Sequence, residues 1–228
     1  DLDRFLKSID TDIFSKTLIY QILKIGGINC RVNVKEGNEY DSRINFVNGY
    51  KFEAHLNHNF QISISKEELR LTNCGILLVD GVISRVSEIH HLLEKYTNSS
   101  SGLIIAARGF EEEVIATLAV NFKRKTLRVV PVQLPNILEN INSIKDIAVV
   151  SQSEIISSLK GDLISAFDIE KIKTITSAKI SGREFIITNK INNAGLNSHI
   201  SHLQELISKE NFPDKITLLE KRISSLTP

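Results

Sequence analysis

The sequence predicts an α/β fold in which a parallel sheet with covering helices forms the middle of the chain. Two short apolar runs, Gly75–Val79 and Leu103–Ala107, have the uninterrupted apolar character of strands that are buried on both faces. Each run is followed by a segment with apolar residues at helical spacing, 84–96 and 110–123. A third strand at 127–132 completes the alternation of strands and helices that is typical of a parallel layer.

Helices and short strands are predicted on both sides of this layer. Residues 11–25 have a wide apolar face, with Asp10 or Thr11 as the expected N-cap and Gly26–Gly27 at the end. The other predicted elements are, in chain order, strands at 28–34 and 44–46, loop and short strands over 47–63, helices at 136–150 and 154–160, two strands within 172–188, and helices at 196–210 and 214–226.

The composition excludes several classes of protein. The chain has 228 residues, of which 42% are hydrophobic and 24% charged, as is ordinary for a soluble globular protein. A net charge of +1 lacks the basic excess of a nucleic-acid binder, and no apolar run has the length of a membrane span. Cys30 and Cys74 fit neither a disulfide framework nor a zinc site, so we expect two buried thiols in a reducing compartment. Because the sequence contains no Met, we expect a fragment or a processed product.

The sequence contains none of the usual catalytic signatures. The phosphate-binding P-loop, the G-x-S-x-G elbow, the H-E-x-x-H zinc motif and the G-x-G-x-x-G dinucleotide motif are all absent. His199 and His202, with Glu205 three residues on, are the nearest approach to a metal site, and we interpret them as a solvated helix face. An α/β enzyme with an unrecognised site remains a third alternative, whose signature would be a deep pocket with convergent titratable groups.

The helix at 110–123 carries more apolar residues than packing on one sheet requires. One set recurs at i, i+4, i+8 and suffices for the sheet, whereas a second recurs at i, i+4, i+7 and needs another partner. The sequence leaves two interpretations open: burial against a neighbouring helix of the same domain, or an apolar groove for other chains. The two sets are Phe110, Val114 and Leu118, and Ile115, Ala119 and Phe122.

Several segments share residues and spacing with one known family. The run 103–107 (LIIAA) followed by 113–121 (EVIATLAVN) is similar to L-L-I-I-A and E-A-L-A-T-L-V-V-N, and 76–84 (ILLVDGVIS) is similar to I-L-L-A-D-x-x-I-S. Leu127–Val132 and Gly49–Tyr50 match a further strand and an R-G-Y loop. These segments resemble the apical domain of GroEL-type (group I) chaperonins, and the likeness extends more weakly to both ends of the chain.

The resemblance implies a domain organisation. Residues 1–44 and 190–228 would form a small, discontinuous α+β intermediate domain, and 45–189 the apical polypeptide-binding domain inserted in it. The equatorial domain is absent, together with its phosphate loop and magnesium-binding Asp. The resemblance therefore implies no cofactor in this fragment, and ATP with Mg²⁺ in a parent ATPase that forms a homo-oligomeric ring. It also implies a cytoplasmic or organelle-matrix location, without nucleic-acid or membrane partners.

The resemblance also implies binding residues. The family binds non-native polypeptides and its co-chaperonin in an apolar groove between two apical helices and an underlying loop, and thereby assists protein folding. Asp214 is the nearest residue to the family's ATP-hydrolysing Asp and aligns with a slip of one residue. We expect Leu93 and Ile115 to be exposed. The matching groove positions are Tyr50, His90, Leu93, Ile115, Ala119 and Val120.

Departures from the family pattern support a second hypothesis. His90 replaces a leucine of the groove, and Ala54 and His55 replace aromatic residues of the loop. Arg43 and a residue near Asn189 stand where the family has hinge glycines, which permit large backbone changes. The alternative is therefore a chaperonin-derived module that binds one partner, or a structural ring component, without folding clients.

Overall fold

The structure is a computed structural model in which the contacts between residues divide the chain into two compact units. It describes residues 8–27, 32, 34, 36, 41–44, 46, 48–97, 99–137, 141–190 and 193–227. The first unit contains residues 1–48 with 227–228, and the second contains 49–226.

Helix α1 (Ile13–Gly26) is the helix described in the first unit. Its N-cap is Asp12, whose side chain accepts a hydrogen bond from the Ser15 backbone N–H at 2.9 Å, so the predicted cap at Asp10 or Thr11 is wrong. The helix ends at Gly27, whose φ of 77° favours glycine. Much of the predicted strands at 28–34 and 44–46, together with Cys30, lies outside the described residues.

Within the described residues, eight strands of the second unit form one mixed sheet. The strands are β1 (Tyr50–Glu53), β2 (His55–Leu56), β3 (Glu68–Ile83), β4 (Leu103–Phe110), β5 (Val129–Gln133), β6 (Ile155–Ser157), β7 (Lys173–Ser181) and β8 (Glu184–Thr188). The sheet order is β1-β8-β7-β3-β4-β5-β2, and β6 also pairs with β3.

Strand β3 connects the two halves of the sheet. It pairs in parallel with β4, which pairs in parallel with β5, so the predicted parallel layer is confirmed. On its other side β3 pairs antiparallel with β7 over 68–76, and in parallel with β6 over 78–80. The two predicted strands within 172–188 are β7 and β8, which form an antiparallel pair.

The helices of the second unit cover this sheet. They are α2 (His58–Ile64), α3 (Val86–Tyr96), α4 (Glu112–Lys123), α5 (Ser143–Ser151), α6 (Asn193–Lys209) and α7 (Pro213–Ser225). Helix α3 connects β3 to β4, and α4 connects β4 to β5. Because crossovers between parallel strands are almost always right-handed, both helices are expected on the same face of the sheet. Helix α2 packs against α4, and α3 also contacts α4, so α3, α4 and α2 form one helical layer.

Two of these elements differ from the sequence prediction. The predicted helix at 154–160 is wrong, because residues 155–157 pair with β3 as β6 and only a 3₁₀ turn follows. Helix α2 was expected to be loop and short strand. Its caps determine the helix: the Asn57 side chain accepts hydrogen bonds from two backbone N–H groups, and Ser65 ends it in the left-handed conformation.

The C-terminal hairpin of α6 and α7 belongs to the same unit as the sheet. Helix α6 contacts α5, and α7 contacts β1. At the predicted hinge position, the Asn189 side-chain amide donates to the Val150 carbonyl at 3.0 Å. The predicted division into apical and intermediate domains stays a prediction.

A buried charge network joins this hairpin to α5. Asp146 is 2% exposed and accepts two hydrogen bonds from Arg222, from Nε at 2.9 Å and from Nη2 at 2.8 Å. His199 Nε2 donates to the same carboxylate at 2.8 Å. The interpretation of His199 as part of a solvated face is therefore wrong, because its ring is turned toward the buried Asp146. No group of three metal-ligating side chains occurs within the described residues.

Candidate functional site

The six residues predicted to bind polypeptide differ sharply in exposure. The His90 side chain is 67% exposed and Val120 is 46% exposed. Leu93 is 5% exposed and Ile115 is 2% exposed, so the expectation that both are exposed is wrong. Ala119 and Tyr50 are also buried.

The structure does not bring all six positions together. His90 and Leu93 lie on α3, and Ile115, Ala119 and Val120 lie on the neighbouring α4. Tyr50 begins β1, at the edge of the sheet, with β8 and β7 between it and β3. It pairs with Ile187 there, and burial raises the pKa of its phenol.

The second apolar stripe of α4 packs against a neighbouring helix. The Phe122 ring meets the Phe60 ring of α2 edge to face, with 5.5 Å between ring centroids. Ile115 and Ala119 precede Phe122 on the same side of α4 and are each 2% exposed. Of the two interpretations that the sequence left open, burial within the same domain is therefore correct for the described structure.

The residues that α3 and α4 present outward are of mixed polarity. We call this surface the α3–α4 face. Its histidine and a glutamate interact one turn apart, with 3.3 Å between His90 Nε2 and Glu94 Oε1. We define the α3–α4 face by the exposed residues Ser87, His90 and Glu94 on α3, and Glu113, Ala116 and Val120 on α4; Lys95, Glu112 and Lys123 are exposed on the same helices. Such a face offers two small apolar side chains among polar and charged ones.

Arg108 closes the carboxyl end of the parallel strands. Arg108 Nε donates to Asp80 Oδ1 at 2.9 Å, and Nη1 donates to the Pro135 carbonyl at 2.8 Å. Nη2 donates to the Ile141 carbonyl. Ligands of open α/β sheets usually bind at this end of the strands. Here the Arg108 guanidinium occupies this end of the strands and binds the carbonyl groups of Pro135 and Ile141, in the segment that follows β5.

A cleft of about 390 Å³ lies beside β6. Its charged groups form hydrogen bonds or ion pairs with nearby residues. Asp162 accepts a hydrogen bond from the Ser157 backbone, Asp168 accepts one from the Glu170 backbone, and Lys171 pairs with Glu154 at 3.3 Å. This arrangement differs from the convergent titratable groups that would favour an enzyme.

Asp214 lies in the first turn of α7, after Pro213 at the N-terminus of the helix, and is exposed. An acidic side chain is favourable at this position because the helix dipole is positive there. Its role in ATP hydrolysis by a parent chain stays a prediction.

We expect the stability of the second unit to depend on pH through His55. Burial lowers the pKa of His55 below 6.5, and the charge of Arg183 lowers it further, against an opposite effect of Glu53. As the pH falls below 6.5, the unfolded chain binds this proton more readily than the folded one, so stability decreases. We expect the urea unfolding midpoint to fall between pH 7.5 and 5.5, and to fall less in His55→Gln.

The matched control is His58→Gln, which removes an exposed histidine of α2. This variant should keep the pH dependence of the original chain. If the unfolding midpoint of His55→Gln instead keeps the full pH dependence, His55 is not the source of that dependence.

Comparison with known proteins decides the fold. Two crystal structures of the chaperonin gp146 from the bacteriophage EL 2 (Pseudomonas aeruginosa), obtained in the presence of ATP-BeFx in crystal forms I and II, are similar to this chain. Each has a TM-score of 0.67 over 95% of this chain, at 17% sequence identity. The chain has the fold of part of a chaperonin.

The likeness to a chaperonin covers a limited part of the solved chains. This chain spans 43% of the length of each gp146 chain. No family model matches the sequence. The predicted α/β fold and the resemblance to chaperonins are thus confirmed at the level of structure. In the part of the chain that the structure describes, no helix is long and apolar enough to cross a membrane.

Proposed function

We propose that this chain is the polypeptide-binding part of a chaperonin and takes up non-native chains and a co-chaperonin through the region of α3 and α4. The chaperonin fold over 95% of the chain is the observation that supports this most directly. In the proposal, ATP and Mg²⁺ act in a part of the parent protein outside this sequence, and the parent forms a cytoplasmic ring.

The α3–α4 face would bind extended or unfolded segments weakly. The exposed side chains of Val120 and Ala116 supply its apolar area, and each Å² removed from water contributes roughly 25 cal/mol. A few exposed side chains therefore give low affinity for a single copy. Several copies held in one ring would multiply the affinity through avidity.

A second candidate function is a module that binds one specific partner, or a structural ring component. The mixed polarity of the α3–α4 face favours it, since His90, Glu94 and Glu113 are exposed beside Val120. Polar groups at an interface select a partner by complementary charge more than they add affinity. A client-binding chaperonin needs a surface that tolerates many sequences.

Capture of unfolded proteins tests the first function. We expect this chain to slow the aggregation of several unrelated, chemically unfolded proteins, measured by light scattering at pH 7.5. Val120→Glu places a charge among the apolar atoms of the α3–α4 face and should reduce this effect severalfold. The matched control is Leu206→Glu, which changes a side chain of α6 that is 38% exposed.

Loss of protection in Val120→Glu, with protection kept in Leu206→Glu, supports the proposal. Equal protection by both variants excludes the α3–α4 face as the binding surface. No protection against any test protein by the original chain, even when it is multimerised on a ring-shaped scaffold, favours the single-partner module.

A further inference from the structure

We infer that residues 54–65, here called the strap, cover an interaction surface on α4 that an incoming amphipathic segment of similar pattern takes over. The inference rests on the proposed function and specifies which surface becomes available and for what kind of segment. The strap consists of residue 54, strand β2, the Asn57 cap, helix α2 and Ser65.

The strap carries an apolar pattern of its own. Within its helix, the buried side chains of Phe60 and Ile64 are four residues apart and therefore lie on one side of α2, while Ala54 and Leu56 are buried in the segment before the helix. Phe60 at the centre is fully buried and contacts Phe122 of α4. The strap therefore occupies the second apolar stripe of α4 in the manner of an amphipathic helix in a groove.

The strap is attached to the sheet by few polar contacts. Strand β2 has two residues and pairs with β5 at the edge of the sheet. The Ala54 backbone N–H donates to the Arg183 carbonyl at 3.2 Å. The Asn57 backbone N–H reaches the Pro131 carbonyl at 3.4 Å, and the Asn57 side chain reaches Gln133 Oε1 at 3.4 Å, both near the long limit of a hydrogen bond. A seven-residue helix is also far too short to be stable alone. Apolar contact is therefore its main attachment.

Apolar attachment of this kind can be exchanged for an equivalent. A helical segment with an aromatic residue in the place of Phe60 and an apolar residue four positions later would bury a similar area against Phe122. The cost of releasing the strap would then be offset by the contacts of its replacement. The fitting partner is thus a short amphipathic polypeptide segment with a central aromatic anchor.

The experiment uses the strap sequence itself as the probe. A fluorescent peptide with residues 54–65 (AHLNHNFQISIS) is titrated with the chain, and binding is followed by anisotropy. Asn57→Ala removes the N-cap of α2 without changing α4. Because such caps contribute about 1 kcal/mol, peptide affinity should rise about fivefold. A peptide with Phe60→Ala should not bind.

Two further variants control for general destabilisation. Asn59→Ala changes an exposed asparagine of the same helix that is not its cap, and should not increase affinity. Ser65→Gly relieves the positive φ of 54° at the end of the helix, should hold the strap more firmly, and should lower peptide affinity. Circular dichroism at the assay temperature checks that all variants are folded.

An affinity order of Asn57→Ala, then the original chain, then Ser65→Gly supports the inference. Equal peptide affinity in all variants, or no binding in any, overturns it. The two hypotheses can fail separately. If the chain binds the peptide but does not protect unfolded proteins from aggregation, the proposed chaperone function is rejected and the exchange of the strap is still supported. If Asn57→Ala and the original chain protect unfolded proteins equally and neither binds the peptide, only the exchange of the strap is rejected.

Discussion

Ile115→Glu is expected to prevent the second unit from folding. Ile115 is 2% exposed in the interior of α4, so the new carboxylate would lose its hydration without gaining a partner. Burying an unpaired charge costs several kcal/mol, which is comparable to the whole stability of an ordinary domain. The expected result is loss of the cooperative thermal transition in circular dichroism, together with aggregation on size-exclusion chromatography.

Val120→Glu is the matched control, since it makes the same change five residues further along the same helix. Val120 is 46% exposed, so its replacement should leave the melting temperature within a few degrees of the original. If Ile115→Glu melts as cooperatively as Val120→Glu, the packing of α4 against α2 and the sheet is incorrect, and the exposed-groove interpretation returns.

Asp146→Ala is expected to produce the second-largest loss. The variant leaves Arg222, whose side chain is 14% exposed, with its charge uncompensated between α5 and α7. Removing one partner of a buried ion pair typically costs about 3–5 kcal/mol. Urea unfolding should show a midpoint lowered in proportion. Hydrogen exchange should show lost protection first in the hairpin at 193–225.

The control for this network is Glu205→Ala, which removes an ion pair from the surface of the same hairpin. Glu205 and Lys209 are four residues apart and have side chains that are 58% and 70% exposed. Exposed pairs of this kind contribute about 0.3–0.5 kcal/mol. A loss as small for Asp146→Ala as for Glu205→Ala would show that the buried network does not hold the hairpin.

The sequence predicts those parts of the fold in which the residue types themselves indicate burial. Uninterrupted apolar runs such as Gly75–Val79 occur where a strand is covered on both faces, and this is how β3, β4 and β5 are found. Residues 58–64 are different. Phe60, Ile62 and Ile64 alternate like a strand, yet the segment is helical because its caps and its contact with α4 outweigh the local pattern.

The candidate site was less predictable because accessibility depends on a partner that is distant in sequence. The spacing of Ile115, Ala119 and Phe122 correctly indicates a second packing surface on α4. Nothing in those residues indicates that Phe60, about sixty positions earlier, covers it. In the same way, the burial of Asp146 follows from Arg222, which lies in another helix. The spacing of apolar residues along the chain indicates neither the contact of Phe60 with α4 nor that of Arg222 with Asp146.

The position of β3 at the centre of the sheet has a consequence for synthesis of the chain. Its antiparallel partner β7 pairs Glu68 with Ser181 and Ile76 with Lys173, about a hundred residues later. At roughly 5–20 residues per second, an emerging chain waits about 5–20 s before that edge of β3 can be covered. An apolar strand with an unpaired edge invites pairing with other chains. During that interval the nascent polypeptide itself has the exposed surface that molecular chaperones recognise.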